Sequence, residues 1–114
     1  LNYLGYSWID FGKNLQEAQK LIKKAVKLRP NDGYFIDSLG WAFYRMGDYM
    51  NAVIELEKAV EKVPNDPIIN DHLGDALWRA GFENEAIFQW KRALIYNPES
   101  ELKEIIIYKL EKGL

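Results

Sequence analysis

The sequence predicts an all-α fold, a solenoid of antiparallel helix pairs, and three observations carry that expectation. Small residues and prolines recur at a period of 34: Gly40 and Gly74, Gly47 and Gly81, Ala18, Ala52 and Ala86, Ala25, Ala59 and Ala93, and Pro30, Pro64 and Pro98. Within each unit the apolar residues fall at helical spacing. Each unit is also punctuated twice, by a glycine near its middle and a proline at its end. A fixed period of this length marks repeat architectures, in which each unit buries its apolar face against its neighbours.

Seven helices are expected. The first, 1–11, starts inside an already helical pattern, as a piece of a longer chain would. The second spans 14–29. Gly5 to Gly40 and Gly12 to Gly47 are 35 apart, which places one extra residue between Gly12 and Ala18. In 33–46, Ile36, Leu39, Phe43 and Met46 follow i, i+3, i+7, i+10, and Gly47 breaks the helix. The next, 49–62, turns Val53, Leu56 and Val60 inward and stops before Pro64, because proline supplies no amide to a continuing helix. Helices 67–80 and 83–96 repeat the pair, and a seventh, 100–112, follows Pro98. Gly40 and Gly74 fall inside helices, at a cost of about 1 kcal/mol each relative to alanine. Close approach of the paired helix would offset that cost, with Ala52, Ala59, Ala86 and Ala93 expected at the contact. The organisation is one domain over 1–114: a partial repeat at 1–32, full repeats at 33–66 and 67–100, and a capping helix at 101–114.

The stretch LGWAFYRMGDYMNAVIELEKAVEKVPNDP carries Leu-Gly, an aromatic, a turn glycine, tyrosine, two alanines and a proline in order. It resembles the tetratricopeptide repeat (TPR), a 34-residue helix–turn–helix unit, and the resemblance covers nearly the whole chain. It implies a right-handed superhelix whose leading helices line a concave groove, and a role in binding other proteins. The aromatic usual early in the leading helix is Ile36 in one repeat and Asn70 in the next, so packing there should depart from the family pattern. More loosely, NYLGYSWIDFG, DSLGWAFYRMG and NDHLGDALWRAG look like C-terminal repeats of long bacterial TPR proteins. Some relatives of that kind are envelope adaptors that bring proteases or assembly machinery to their clients.

Composition narrows the function. The formal net charge is −2, and residues 1–57 hold equal numbers of acidic and basic side chains, so the basic footprint of a nucleic-acid binder is absent. No apolar run approaches the roughly 18 residues of a membrane span, so no direct membrane insertion is expected. Cysteine is absent, which removes disulfides, thiolate metal sites and a cysteine nucleophile. The single histidine, His72, sits near Asp71 and Asp75, but three or four ligands are normal for a metal site and no second cluster is evident. Serine is rare and has no companion base. No catalytic residue, metal site or cofactor is therefore expected.

The candidate site is a second face of the leading helices, beside their core stripe. Tyr34, Asp37, Trp41 and Tyr44 recur at i, i+3, i+7, i+10; Ile68, Asp71, Asp75 and Trp78 take equivalent places; the first unit offers Asn2, Tyr6 and Ile9, with Asp10 beside them. Arg45 and Arg79 follow at the helix ends. Aromatic side chains are where binding energy concentrates. The four aspartates make the expected groove acidic, suited to a protein or peptide with apolar anchors and some positive charge. TPR groups that clamp acidic chaperone tails carry Lys, Asn and Arg at such places, so that specialised function is not implied. The basic run QKLIKKAVKLR (19–29) reads as a solvated convex face. The alternative role is structural, as a segment that caps a longer array or self-associates. Leu102, Ile105, Ile106, Ile107, Tyr108 and Leu110 exceed one buried stripe, and Leu1, Tyr3 and Leu4 add apolar surface at the other end, so a homo-oligomer would follow.

Overall fold

A computed structural model describes residues 15–114. Six of the seven expected helices fall in this range: α1 (Leu15–Leu28), α2 (Gly33–Arg45), α3 (Tyr49–Lys62), α4 (Pro67–Arg79), α5 (Glu83–Ile95) and α6 (Ser100–Lys112). The expected helix 1–11 lies outside the described residues. Among the described residues there is no strand, and no helix is long and apolar enough to cross a membrane.

The helix starts repeat as the sequence does. Asp32 caps α2, its carboxylate accepting from the amides of Tyr34 and Phe35 at 3.0 and 3.4 Å. Asp66, one period later, accepts from Ile68 and Ile69 at 2.8 and 3.1 Å, with Pro67 in the first turn of α4. Such a cap satisfies amides that have no partner inside the helix. Gly47 and Gly81 turn the chain between paired helices at φ of 81° and 95°. Nothing stands near where their side chains would be, so backbone conformation and not space demands glycine there.

The helices form two layers. α2, α4 and α6 lead, and α1, α3 and α5 trail. A continuous core runs through α2 to α6, including Leu39, Phe43, Leu56, Leu73, Leu77, Trp90 and Ile106. A smaller cluster of Ile36, Ala59 and Ile69 joins α2, α3 and α4. Gly40 and Gly74 are buried at the pair contacts, but the groups facing them are larger than expected. A Cβ on Gly40 would stand 2.6 Å from Leu56 Cγ, and one on Gly74 would overlap the Trp90 ring. The alanines Ala52, Ala59, Ala86 and Ala93 are fully enclosed nearby. Glycine thus makes room for a large side chain of the trailing helix, in place of the expected alanine. The departure at Asn70 also has a physical reason. Its buried Nδ2 donates to the carbonyls of Pro64 and Asp66 at 3.0 and 2.9 Å, tying down the turn between repeats where a ring would only fill space.

Candidate functional site on the inner helix layer

The leading helices carry their candidate residues at the expected spacing, but the fold divides them into two groups. Tyr34 is exposed at 55%, and Arg45 and Arg79 are exposed at the helix ends. Trp41 and Tyr44 are half-buried. Their rings stack at 4.5 Å with planes 9° apart, and Tyr44 meets Tyr49 edge-on at 5.5 Å. Residues i and i+3 share a helix face, which is why Trp41 and Tyr44 can form one aromatic slab. Burial raises the Tyr44 pKa from 10.0, against a hydrogen bond with Arg79 that lowers it. The slab is therefore a neutral phenol and indole surface beside an arginine.

The aspartates behave otherwise. Asp37, Asp71 and Asp75 are all buried, although their positions predicted an open acidic groove. His72 Nδ1 lies 2.9 Å from Asp37 Oδ1, and the imidazole stacks on Trp41 at 4.1 Å. Lys109 Nζ donates to Asp71 Oδ1 and Asp75 Oδ1 at 2.8 Å each. Trp90 Nε1 donates to Asp75 at 3.1 Å, and Lys109 stands over the Trp90 ring at 5.7 Å. A buried carboxylate is costly unless paired and hydrogen-bonded, and these are. The acidic face is thus matched inside the fold, and its carboxylates join α2 to α4 and α4 to α6.

The pKa directions follow from this crowding. Burial opposes the charged imidazolium of His72, but Asp37, with Asp71 and Asp75 behind it, outweighs burial and raises the pKa above 6.5. For Lys109, burial is likewise outweighed by Asp75 and Asp71, and the pKa lies above 10.5. Asp71 is raised from 3.8, first by burial and then by Asp75, with Lys109 acting against both. No group of three or more metal-ligating side chains gathers among the described residues, the Asp71, His72 and Asp75 run included.

Trp78 belongs to this second group. It is half-buried, stacks on Trp90 at 5.5 Å and lies close against Gly113. Tyr6 and Asp10 lie outside the described residues. Sequence reasoning missed Lys109 and Trp90. The signal was present, because Lys109 stands 34 residues after Asp75 and α6 follows Pro98 as α4 follows Pro64. Extending the repeat register through the terminal helix places Lys109 on the leading layer next to α4, where the structure has it.

These features are the ground for comparison with known proteins. The tetratricopeptide repeat family matches over residues 9–67 and again over 38–101. The chain belongs to that family. A TPR repeat-containing protein of Pseudomonas aeruginosa is 46% identical over 52 residues, which is 46% of this chain and 9% of that protein. The chain thus spans less than a tenth of the curated relative it matches. Among solved structures, the Yersinia enterocolitica type III secretion translocator chaperone SycD superposes with a TM-score of 0.88 at 24% identity, over 96% of this chain and 86% of that one. SycD in complex with a peptide of the translocator YopD gives 0.86 at 21% identity, with the same coverage. PcrH in complex with the chaperone binding region of PopD gives 0.87 at 19% identity, over 97% of this chain and 86% of that one. At these identities the likeness is one of fold, and this TPR chain shares with those chaperones the two-layered helical stack.

Proposed function

We propose that this TPR chain is a non-catalytic protein-interaction scaffold that holds a segment of a partner along the inner face of α2 and α4. The observation that carries the reading is the Trp41–Tyr44 stack. It leaves two large rings half-open beside exposed Tyr34 and Ile68, whereas the core already holds its own aromatics. Aromatic surface of this kind supplies anchoring contacts at little conformational cost. That SycD is solved with a peptide of the translocator YopD, and PcrH with the chaperone binding region of PopD, supports the same use of a helical stack of this fold here. The segment carries apolar anchors. Among the described residues Asp37, Asp71 and Asp75 are enclosed, and the exposed Arg79 is hydrogen-bonded to Tyr44, so an acidic flank beside the rings suits the segment better than the basic one expected from sequence.

The test is titration calorimetry with peptides selected on this chain from a displayed random library. Trp41→Ala and Tyr44→Ala should each weaken the recovered peptides by roughly 30-fold while circular dichroism stays helical. Lys24→Glu, on the far side, should change nothing. If Lys24→Glu abolishes binding and the aromatic variants do not, the active surface is on the other layer.

A second reading, array capping with self-association, is favoured by α6. Ile105, Ile107, Tyr108 and Leu114 are exposed there, and an open hollow of about 620 Å³ lies between Ile105, Tyr108 and Leu114. Sedimentation of Ile105→Lys against the parent chain separates the two readings. A dimer that the substitution splits supports capping, and a monomer in both supports the scaffold.

A further inference from the structure

We propose that the outer groove between α3 and α5 is a second docking surface, which takes an amphipathic helical segment with apolar anchors and lysine or arginine on its flanks. Two adjoining hollows of about 300 and 270 Å³ lie along this groove. Leu73 and Leu77 of α4 form the floor. Met50 and Ile54 of α3 stand on one wall, and Phe82 and Phe88 of α5 and its leading turn on the other. All four wall residues are exposed, Met50 at 53% and Phe88 at 57%. Each hollow is too small and open for an enclosed small molecule. Two in line along a groove suit successive side chains at helical spacing.

The repeat supplies its own control. One period earlier, Met50, Ile54 and Phe82 correspond to Gln16, Lys20 and Asp48, and Phe88 corresponds to Ile54 itself, so three of the four wall positions are polar there. An apolar residue at all four wall positions is therefore particular to the α3–α5 groove, while the Phe88 position is apolar in both repeats. Phe82 sharpens the point. Asp48, its counterpart one period earlier, caps α3 by accepting from the Asn51 amide at 3.4 Å, whereas Phe82 stands at the start of α5 with no side-chain cap. The chain carries an exposed ring where a capping carboxylate would stabilise the helix.

Charge selects the occupant. Glu57 and Glu85 line both hollows, and among the described residues no other charged side chain lines either. Arg92 reaches over the Phe88 ring but donates to the Tyr96 hydroxyl at 3.3 Å. Two unmatched carboxylates along an apolar trough favour basic flanks on the bound segment and disfavour acidic ones.

The experiment uses the 114-residue chain and a fluorescent amphipathic peptide with leucines at i, i+4, i+7 and i+11 and lysines on its flanks. Fluorescence anisotropy should show binding that falls at least about tenfold when the lysines are replaced by glutamate. Ile54→Lys and Phe88→Lys, which copy the residue of α1 at that position, should each cost a similar factor with helical content unchanged. Trp41→Ala on the inner face should leave this peptide's affinity as it was, so failure here is distinct from failure of the scaffold reading. Phe82→Asp should weaken the peptide yet raise the Tm by about 4 °C, through the restored cap. Equal binding of lysine and glutamate peptides, or a loss with Trp41→Ala and not with Phe88→Lys, overturns the proposal. So does a sedimenting dimer that Ile54→Lys splits, since the occupant would then be a second copy.

Discussion

Gly74 and the Trp90 ring occupy space that a single methyl would contest, and the two cannot both be kept if that methyl is added. Trp90 has no freedom to retreat, because it is fully buried, donates to Asp75 and stacks on Trp78. Leu56 opposite Gly40 is equally buried but makes no hydrogen bond of its own and can turn about its side-chain bonds. Gly74→Ala should therefore destabilise by about 1–3 kcal/mol through overpacking, and Gly40→Ala by less, although alanine is the better helix former at both places. Thermal melts of both variants test this, and equal or raised midpoints would refute the close-packing account. His72 offers a second test at this scale. An imidazole whose folded pKa lies above 6.5 contributes stability in full below about pH 6.5 and loses it as pH rises through the folded value. The Tm of the parent chain should fall from neutral pH upward, and that of His72→Gln should fall less. The chain has one histidine, so its proton NMR titration reports this pKa directly, and a value below 6.5 would sink the argument.

Among the elements, α6 shows how a short helix is fixed with little apolar burial. Ile106 and Lys109 are its buried residues, with Leu102 and Leu110 partly covered, so the ion contacts to Asp71 and Asp75 bear much of its register. Removing one partner of a buried ion group leaves uncompensated charge and typically costs about 3–5 kcal/mol, whereas replacing the whole group by neutral residues can be nearly free. Lys109→Met should accordingly destabilise by about that amount. Adding Asp71→Asn and Asp75→Asn to it should recover a large part, by denaturant titration of the single and combined variants. If the combined variant is as unstable as Lys109→Met alone, Lys109 acts by packing its stem and not by its charge. The helices themselves were legible in the sequence, because glycine, alanine and proline act through backbone geometry and return at a fixed period. The pairing of Lys109 was hidden by treating the last helix as outside that period.

At the scale of the whole molecule, what the sequence could not reveal is which polar residues of the leading layer face water. Asp37, Asp71 and Asp75 sit on the same stripe as Trp41 and Tyr44, and helical spacing alone does not separate them. The separation comes from neighbours more than 30 residues away, His72 and Lys109, which enclose the carboxylates and leave the rings half-open. The same connections make a physical prediction about cooperativity. Solenoid repeats touch only their neighbours, so a local weakness should spread with distance along the stack. Here one core and one chain of buried ion contacts run from α2 to α6. Lys109→Met removes the α4–α6 end of that chain and leaves the α2–α4 end, Asp37 with His72, in place. Amide exchange followed by mass spectrometry or NMR should then quicken most in α6, less in α4 and α5, and least in α2 and α3, because local opening requires only the contacts at that end to break. A uniform rise in exchange across all five helices would mean that the stack opens as one body. In that case the buried ion contacts would join the leading helices into a single cooperative unit, with no series of locally stable repeats.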